Sequence, residues 1–315
     1  MPDCIDKIRE IAQRLLREGQ VDAVIGFRKG TLPATSEPFI LREEKDAASL
    51  IWDGNCRLNL ANYLSGGKGK FGIVAKGCDT RNIVNHIVEN RIKRDEVVII
   101  GVPCEGMNDK RKMAALAEGP VTQIIEAEDS VTVVWAEGEK RVPKGEVMQE
   151  NCLLCTHPNP VIHDHLAGEL LAENAPQDRY AAIEKVEELS PDERWGFFTD
   201  LLSACTRCYA CRNACPLCSC PTCFVDESRP QWVGKGNDAT DTMTYHMLRA
   251  FHCAGRCTDC GACEAACPMD IQVRYLTRKL EKECHERFDW EAGLSTEVRP
   301  ALDSFKPDDP ASFIR

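Results

Sequence analysis

The sequence predicts an α/β domain followed by a second, cysteine-rich domain. Apolar runs of strand length alternate with helical periodicity through the first 150 residues, a rhythm that argues for a small α/β unit with some parallel pairing. Twelve of the 19 cysteines then crowd between Cys205 and Cys267, while the first 150 residues hold four. A length of 315 residues accommodates two domains, and a hydrophobic fraction of 43% excludes a wholly disordered chain.

Each element follows from its pattern. Ile5, Ile8, Ile11, Ala12, Leu15 and Leu16 recur at helical spacing, with Gly19 as the stop. Val21 to Phe27 reads as a strand, and so does Phe71 to Ala75. Asp79 or Thr80 caps a helix whose Ile83, Val84, Ile87, Val88 and Ile92 share one face. Val97 to Val102 is a strongly apolar strand that Pro103 ends. Gln123 to Ala127, Val131 to Glu137 and Arg141 to Met148 read as antiparallel additions, with Glu137-Gly138 turning one hairpin. Cys152 and Cys155 open a Pro- and His-rich loop, Thr156 to His165. Two or three polar helices occupy Leu166 to Ala204, Ser190-Pro191 restarting the last, and Thr242 to Phe251 reads as a further helix. After Ala292, Pro300, Pro307 and Pro310 punctuate a tail without periodicity, expected as an extended arm along a neighbour.

Asp and Glu outnumber Lys and Arg by 50 to 39, a net charge of −11. Such a chain binds nucleic acid poorly and is repelled by an anionic membrane surface. No apolar run reaches the roughly 18 residues of a spanning helix, and Met1 to Glu10 lacks a signal peptide's apolar stretch. The expectation is a cytoplasmic chain whose thiols stay reduced and can take up metal.

One internal repeat carries the chemistry. Cys205, Cys208, Cys211 and Cys215-Pro216 read C-x2-C-x2-C-x3-C-P, and Cys257, Cys260, Cys263 and Cys267-Pro268 read the same again. This is the bacterial run for [4Fe–4S] ligation. Two residues between cysteines let a tight loop place three sulfurs on three corners of a cubane, and the fourth corner takes the other motif's last cysteine. Cys205, Cys208, Cys211 and Cys267 are therefore assigned to one cluster, and Cys257, Cys260, Cys263 and Cys215 to the other. A pair of Cys4 zinc sites is the alternative, but zinc knuckles join two C-x2-C units rather than run four cysteines together. Cys218, Cys220 and Cys223 follow directly. With Cys253 they make a further four-sulfur site, or else remain reduced thiols beside a cluster. Cys4 and Cys284 read as free thiols.

In the N-terminal domain Cys78 and Cys104 each lie just past a predicted parallel strand, so they share the sheet edge where open α/β sheets bind ligands. Cys152 and Cys155 fold over that edge as a C-x2-C pair. A third cluster is expected there, with Cys56, Cys104, Cys152 and Cys155 as ligands and Cys78 close by. Zinc, or scattered structural cysteines, is the alternative. His157, His163 and His165 are substitute ligands or solvated loop residues. Gly66-Gly67-Lys68-Gly69-Lys70 lacks the Gly-Lys-Ser/Thr ending of a P-loop and precedes a strand, so it reads as a flexible turn. Its Lys68 and Lys70 can still meet a flavin or nucleotide phosphate. No Ser/His/Asp set or carboxylate pair points to hydrolysis.

The stretch Lys68 to Gly106 resembles the coenzyme F420 hydrogenase/dehydrogenase beta-subunit family. Ile73-Val74-Ala75-Lys76-Gly77-Cys78-Asp79-Thr80-Arg81 and Ile99-Ile100-Gly101-Val102-Pro103-Cys104-Glu105-Gly106 carry the resemblance. Asn55-Cys56-Arg57-Leu58-Asn59-Leu60 and Cys152-Leu153-Leu154-Cys155 are similar to the same family's cysteine positions. His246 to Pro268 resembles the helical ferredoxin domain of heterodisulfide reductase small subunits and succinate dehydrogenase iron–sulfur subunits. Together these resemblances imply an α/β N-terminal domain followed by an α-helical two-cluster ferredoxin domain. Residues 1–165 would form the beta-subunit-like domain, 166–200 a helical linker, 201–290 the dicluster ferredoxin domain and 291–315 the tail. Many members begin with a ferredoxin motif, whereas here the motifs are C-terminal. The family implies an electron-transfer subunit of a hydrogenase, formate dehydrogenase or heterodisulfide-reductase-type complex, often with FAD. Lys68, Lys70, Lys76 and Arg81 are then the candidate cofactor-binding residues. The leading expectation is a cytoplasmic redox subunit that relays single electrons through cubane clusters to or from a catalytic partner. An FAD-dependent oxidoreductase exchanging electrons with F420 or a nicotinamide is one rival, and a zinc-binding structural scaffold is the other.

Overall fold

The computed structural model describes residues 2–173, 175, 176, 178–303 and 307. Helix α1 (Pro2–Arg17) lays Ile8, Ala12 and Leu15 into the core, as its apolar spacing requires. β1 (Ala23–Lys29) turns back as β2 (Ser36–Leu41), and a two-residue β3 (Leu50–Ile51) also pairs with β1 antiparallel. β4 (Phe71–Ala75) lies parallel to β1, with Ile25 opposite Ile73. Helix α2 (Gly77–Val88) carries the chain to β5 (Val97–Gly101), parallel to β4 and buried at all five positions. The loops after β4 and β5 therefore leave from one sheet edge.

The start of α2 differs from expectation. Lys76 is its N-cap, and Asp79 sits one turn inside, its carboxylate accepting the Lys76 backbone N–H at 3.1 Å. Ile92 lies beyond the end of the helix yet stays buried in the same core.

Helix α3 (Lys110–Leu116) leads to a separate antiparallel sheet of β6 (Val121–Glu126), β7 (Ser130–Trp135) and β8 (Gly138–Pro143). Met113, Val131, Val133, Val142 and Val147 form its small core. The strand expected to reach Met148 stops at Pro143, where the chain turns into the single-turn helix α4 (Lys144–Val147). Another single turn, α5 (Glu150–Leu153), precedes Cys155, and the loop returns as β9 (His165–Leu166). That short strand joins β5 in parallel and completes the order β2-β1-β4-β5-β9.

The rest is mostly helical: α6 (Ala181–Glu187), α7 (Pro191–Leu202), α8 (Ala210–Asn213), α9 (Ala239–His252), α10 (Ala262–Ala265) and α11 (Arg274–Phe288). Ser190 and Glu193 cap α7 reciprocally, with Pro191 in its first turn. Leu202, Met243, Ile271 and Val273 make a core between α7, α9 and the start of α11.

Helix α2 clamps the two regions together. Asn82 Nδ2 donates to Thr258 Oγ1 (2.7 Å), Asn85 Nδ2 to the Arg256 carbonyl (2.8 Å), and His86 Nε2 lies 2.9 Å from the Pro216 carbonyl. Glu89 pairs with Arg256 at the end of the helix. The segment after α11 packs back onto the same face. Trp290 Nε1 donates to the Gly255 carbonyl (2.7 Å), and Arg81 Nε donates to that of Ala292 (2.9 Å). Residues 304–306 and 308–315, the remainder of the expected arm, lie outside the described residues. Among the described residues no helix is long and apolar enough to cross a membrane.

Candidate metal centres

The two cysteine runs share one backbone recipe. Arg207 and Asp259, two residues after each first cysteine, and Tyr209 and Gly261, two further on, take φ of 53°, 51°, 60° and 71°. Each loop thus turns left-handed around its own sulfurs before α8 or α10 begins. Gly261 must also be bare, because a Cβ there would meet Asn151 Oδ1 at 2.4 Å. The equivalent Tyr209 instead stacks edge-on against Tyr245.

Cys205 lies in the electrostatic field of Cys208, Cys211 and Cys267. Its Sγ accepts the Arg207 N–H (3.4 Å), and Cys267 Sγ accepts that of Ile271 (3.4 Å). His246 Nε2 stands 3.3 Å from Cys205 Sγ. Burial, reinforced by Arg249 and Arg207, pushes His246 down to about 4, so at neutral pH its uncharged ring can donate there. Cys215, Cys257, Cys260 and Cys263 line a second cavity together with Cys253 and Arg249. Burial pushes Cys260 up to about 11, and Cys257 and Cys263 upward as well.

A third cavity, of about 260 Å³, opens at the edge beyond β4 and β5. Cys78, on the first turn of α2, Cys104, after β5, and Cys152 and Cys155 all line it, and so does Cys260. Backbone N–H groups of Gly106 and Met107 point at Cys104 (3.4 Å) and Cys152 (3.3 Å). Gly77 makes the closure possible, since a Cβ there would strike the His157 carbonyl at 2.1 Å. Burial pushes Cys104 up to about 11 and Cys152 up to about 12, and holds Cys78 well above the ordinary thiol value. Lys76 Nζ, buried beside this cavity, contacts both Asp79 oxygens (3.0 and 3.2 Å) and the Leu58 carbonyl. Burial opposes its charge, but Asp79, Cys78 and Cys104 outweigh it, and we take the pair as ionised.

These cages suit thiolate-bound iron–sulfur groups on two counts. Arg249 is 4% exposed, its Nε has no partner, and it makes no ion pair among the described residues. A buried guanidinium without a carboxylate is costly, and an anionic thiolate cage supplies the missing counter-charge. Second, a tetrahedral zinc site with Zn–S of about 2.3 Å holds its sulfurs about 3.8 Å apart. Among the described residues the one group of three metal-binding side chains with ligand atoms within 4.8 Å of one another is Cys215, Cys218 and Cys253. None of the three cages converges that tightly.

Several candidates fall elsewhere. Cys56 is fully buried in the apolar core, 3.8 Å from Asp53 Oδ1, and does not line the third cavity; Cys78 does. Lys68 and Lys70 precede β4, whereas the cysteines follow it, so they stand at the opposite sheet edge. Arg81 lines the cavity, with Glu291 3.3 Å away. His157 also lines it and meets Glu291 at 3.1 Å, while His163 and His165 do not. Cys220 and Cys223 line a separate cavity with Cys218 and Cys253. Arg249 and the contacts of α2 carried no motif and were not read from the sequence.

No family model matches the chain. It is 23% identical to the F420-dependent formate dehydrogenase subunit beta of Methanocaldococcus jannaschii over 363 aligned positions, covering 95% of this chain and 94% of that protein. It is also 23% identical to F420-dependent formate dehydrogenase 1 subunit beta of Methanococcus maripaludis, covering 95% and 93%. A solved F420-reducing [NiFe] hydrogenase complex from Methanosarcina barkeri, derivatised with xenon, matches 48% of this chain and 59% of its own at 16% identity, with a TM-score of 0.38. Across nearly its whole length, then, the chain is similar to F420-dependent formate dehydrogenase beta subunits.

Proposed function

We propose that this chain is an electron-transfer subunit of an iron–sulfur redox complex. In that reading it relays single electrons to or from the catalytic subunit of a formate dehydrogenase, hydrogenase or heterodisulfide-reductase-type assembly. The observation that supports this most is a shared wall: Cys260 belongs to the second cysteine set and also lines the cavity of Cys78, Cys104, Cys152 and Cys155. Cys263 lies beside Cys215 and Cys260, and its packing neighbours include the core that contains Cys205 and Cys267. Three thiolate cages thus adjoin in sequence, N-terminal, then Cys215/Cys257/Cys260/Cys263, then Cys205/Cys208/Cys211/Cys267. Iron–sulfur centres held there would supply one-electron chemistry, with potentials set by net charge, hydrogen bonds to sulfur and burial.

The chain's own residues have distinct tasks in this scheme. The cysteines hold, the N–H groups of Gly106, Met107, Arg207 and Ile271 orient sulfur lone pairs, and Arg249 balances negative charge between cages. Helix α2 fixes the distance between the N-terminal and second cages. Anaerobic iron and acid-labile sulfide analysis of Cys78→Ser, Cys205→Ser and Cys263→Ser tests the reading, with flavin extraction alongside. Each variant should lose about four iron and four sulfide, one centre's worth. A variant that keeps its full complement removes that cage from the scheme. Stoichiometric flavin in the extract favours the flavoenzyme instead.

A further inference from the structure

A cavity of about 430 Å³ lies beyond the second cage, at the C-terminal end of α9. Cys218, Cys220, Cys223 and Cys253 line it, with Arg212 and Arg249. We propose that these four cysteines hold a fourth iron–sulfur centre, at the surface end of the relay. The inference rests on the proposed function in one respect, that Cys215 serves the second cage and leaves Cys218 and Cys253 available.

The chain builds the site from two elements. Cys253 is the C-cap of α9, and the C-x-C-x2-C loop folds back over that helix end from Cys215-Pro216. Phe224 anchors the loop by packing edge-on against His252 and alongside Tyr245. Val225, 1% exposed, is pinned in the core, and Lys235 Nζ donates to the Val225 and Glu227 carbonyls on the return path. Packing and backbone contacts thus hold the loop's path, while Cys218 Sγ lies against Cys215 and Cys253 and Cys223 meets Arg212.

Spacing decides between one ion and a polynuclear group. Cys218 and Cys253 sulfurs lie within 4.8 Å of each other and of Cys215, but Cys220 and Cys223 fall outside that group. The four sulfurs surround a void instead of meeting at a point, as a single zinc ion would require. Charge agrees. Arg212 has Asp226 and Arg256 has Glu89, but Arg249, whose Nη2 donates to the Cys211 carbonyl (3.0 Å), brings a buried guanidinium with no carboxylate partner among the described residues to this wall as well as to the second cage. A second anionic thiolate group on the other side of Arg249 gives that charge a partner on both faces. Cys220 is exposed, so the site reaches the surface.

The test uses the full chain, purified anaerobically and weighed by native mass spectrometry with metal analysis. Cys220→Ser/Cys223→Ser should lose about four iron and four sulfide relative to the parent, while Cys263→Ser reports separately on the second cage. Unchanged iron and sulfide in the double variant overturns the proposal whatever Cys263→Ser does. Loss of one zinc from Cys218→Ser/Cys253→Ser also overturns it, since Cys215, Cys218 and Cys253 would then share a single ion. A second measurement needs no variant. In the loaded parent, exposed Cys220 should resist iodoacetamide until a chelator strips the iron. Immediate labelling of Cys220 refutes its role as a ligand.

Discussion

Asn85→Ala strikes the clamp that sets the distance between the N-terminal and second cages. Asn85 is 3% exposed, and its amide donates to the Arg256 carbonyl at 2.8 Å, one residue before Cys257. Removing the donor leaves the part-buried Arg256 carbonyl unsatisfied, at a cost of about 1–3 kcal/mol. That cost is large against a marginal total stability of roughly 5–15 kcal/mol. It should act locally, because α2 holds the cysteine loop at several points and the first to fail is the nearest. Local opening of residues 253–261 should become roughly 5- to 160-fold more frequent by that energy. Hydrogen exchange on the anaerobic protein measures it directly. Protection at Arg256 to Gly261 should fall, while amides of β7, in the separate sheet, stay unchanged. A change below about 0.5 kcal/mol, the size of an ordinary surface substitution, would falsify the clamp.

Cys56→Ala should leave iron content intact and Cys78→Ala should lower it, because Cys78 faces the N-terminal cavity and Cys56 the core; metal analysis of the pair decides. Lys76→Met leaves Asp79 buried without its cation and should cost about 3–5 kcal/mol, read as a drop in the urea midpoint, with Lys76→Met/Asp79→Leu recovering part of it. Burial pushes the Glu291 carboxyl up, but His157, Arg81 and Arg179 outweigh it and hold the group well below the usual carboxylate range. Its folded value is below its unfolded one, so the stabilisation is present above about pH 4.3 and is lost as pH falls further. Glu291→Gln should therefore lower the urea midpoint at pH 7 and at pH 4 alike, the gap to the parent closing only as pH falls well below 4, toward about pH 2; a deficit unchanged from pH 7 to about pH 2 would show that charge is not the cause.

The α/β rhythm and the helical C-terminal region were legible because both rest on periodicity. β4, β5 and α1 declare themselves by apolar spacing, and the Ser190-Pro191 start of α7 by capping chemistry. The doubled cysteine run was legible because ligand spacing is local. What was hidden depends on contacts far apart in sequence. β9 has two residues and exists only because β5 offers an open edge. Cys56 lies in a loop whose Arg57 lines the N-terminal cavity, yet its own side chain turns into the apolar core, which spacing alone does not reveal. Gly261 looks like a turn residue until Asn151, 110 positions earlier, is seen to press against it. Arg249 reads as one more polar residue of α9, and only its burial between two cysteine sets shows what its charge faces.

In the proposed relay the three thiolate cages adjoin closely enough to pass electrons, in the order N-terminal, second, first. Electron paramagnetic resonance during stepwise anaerobic reduction tests it most directly. Signals should broaden and split as neighbouring centres become reduced together, and Cys263→Ser should abolish the splitting from the N-terminal centre. Signals that add as independent centres at every stage of reduction, unaltered by Cys263→Ser, would contradict it.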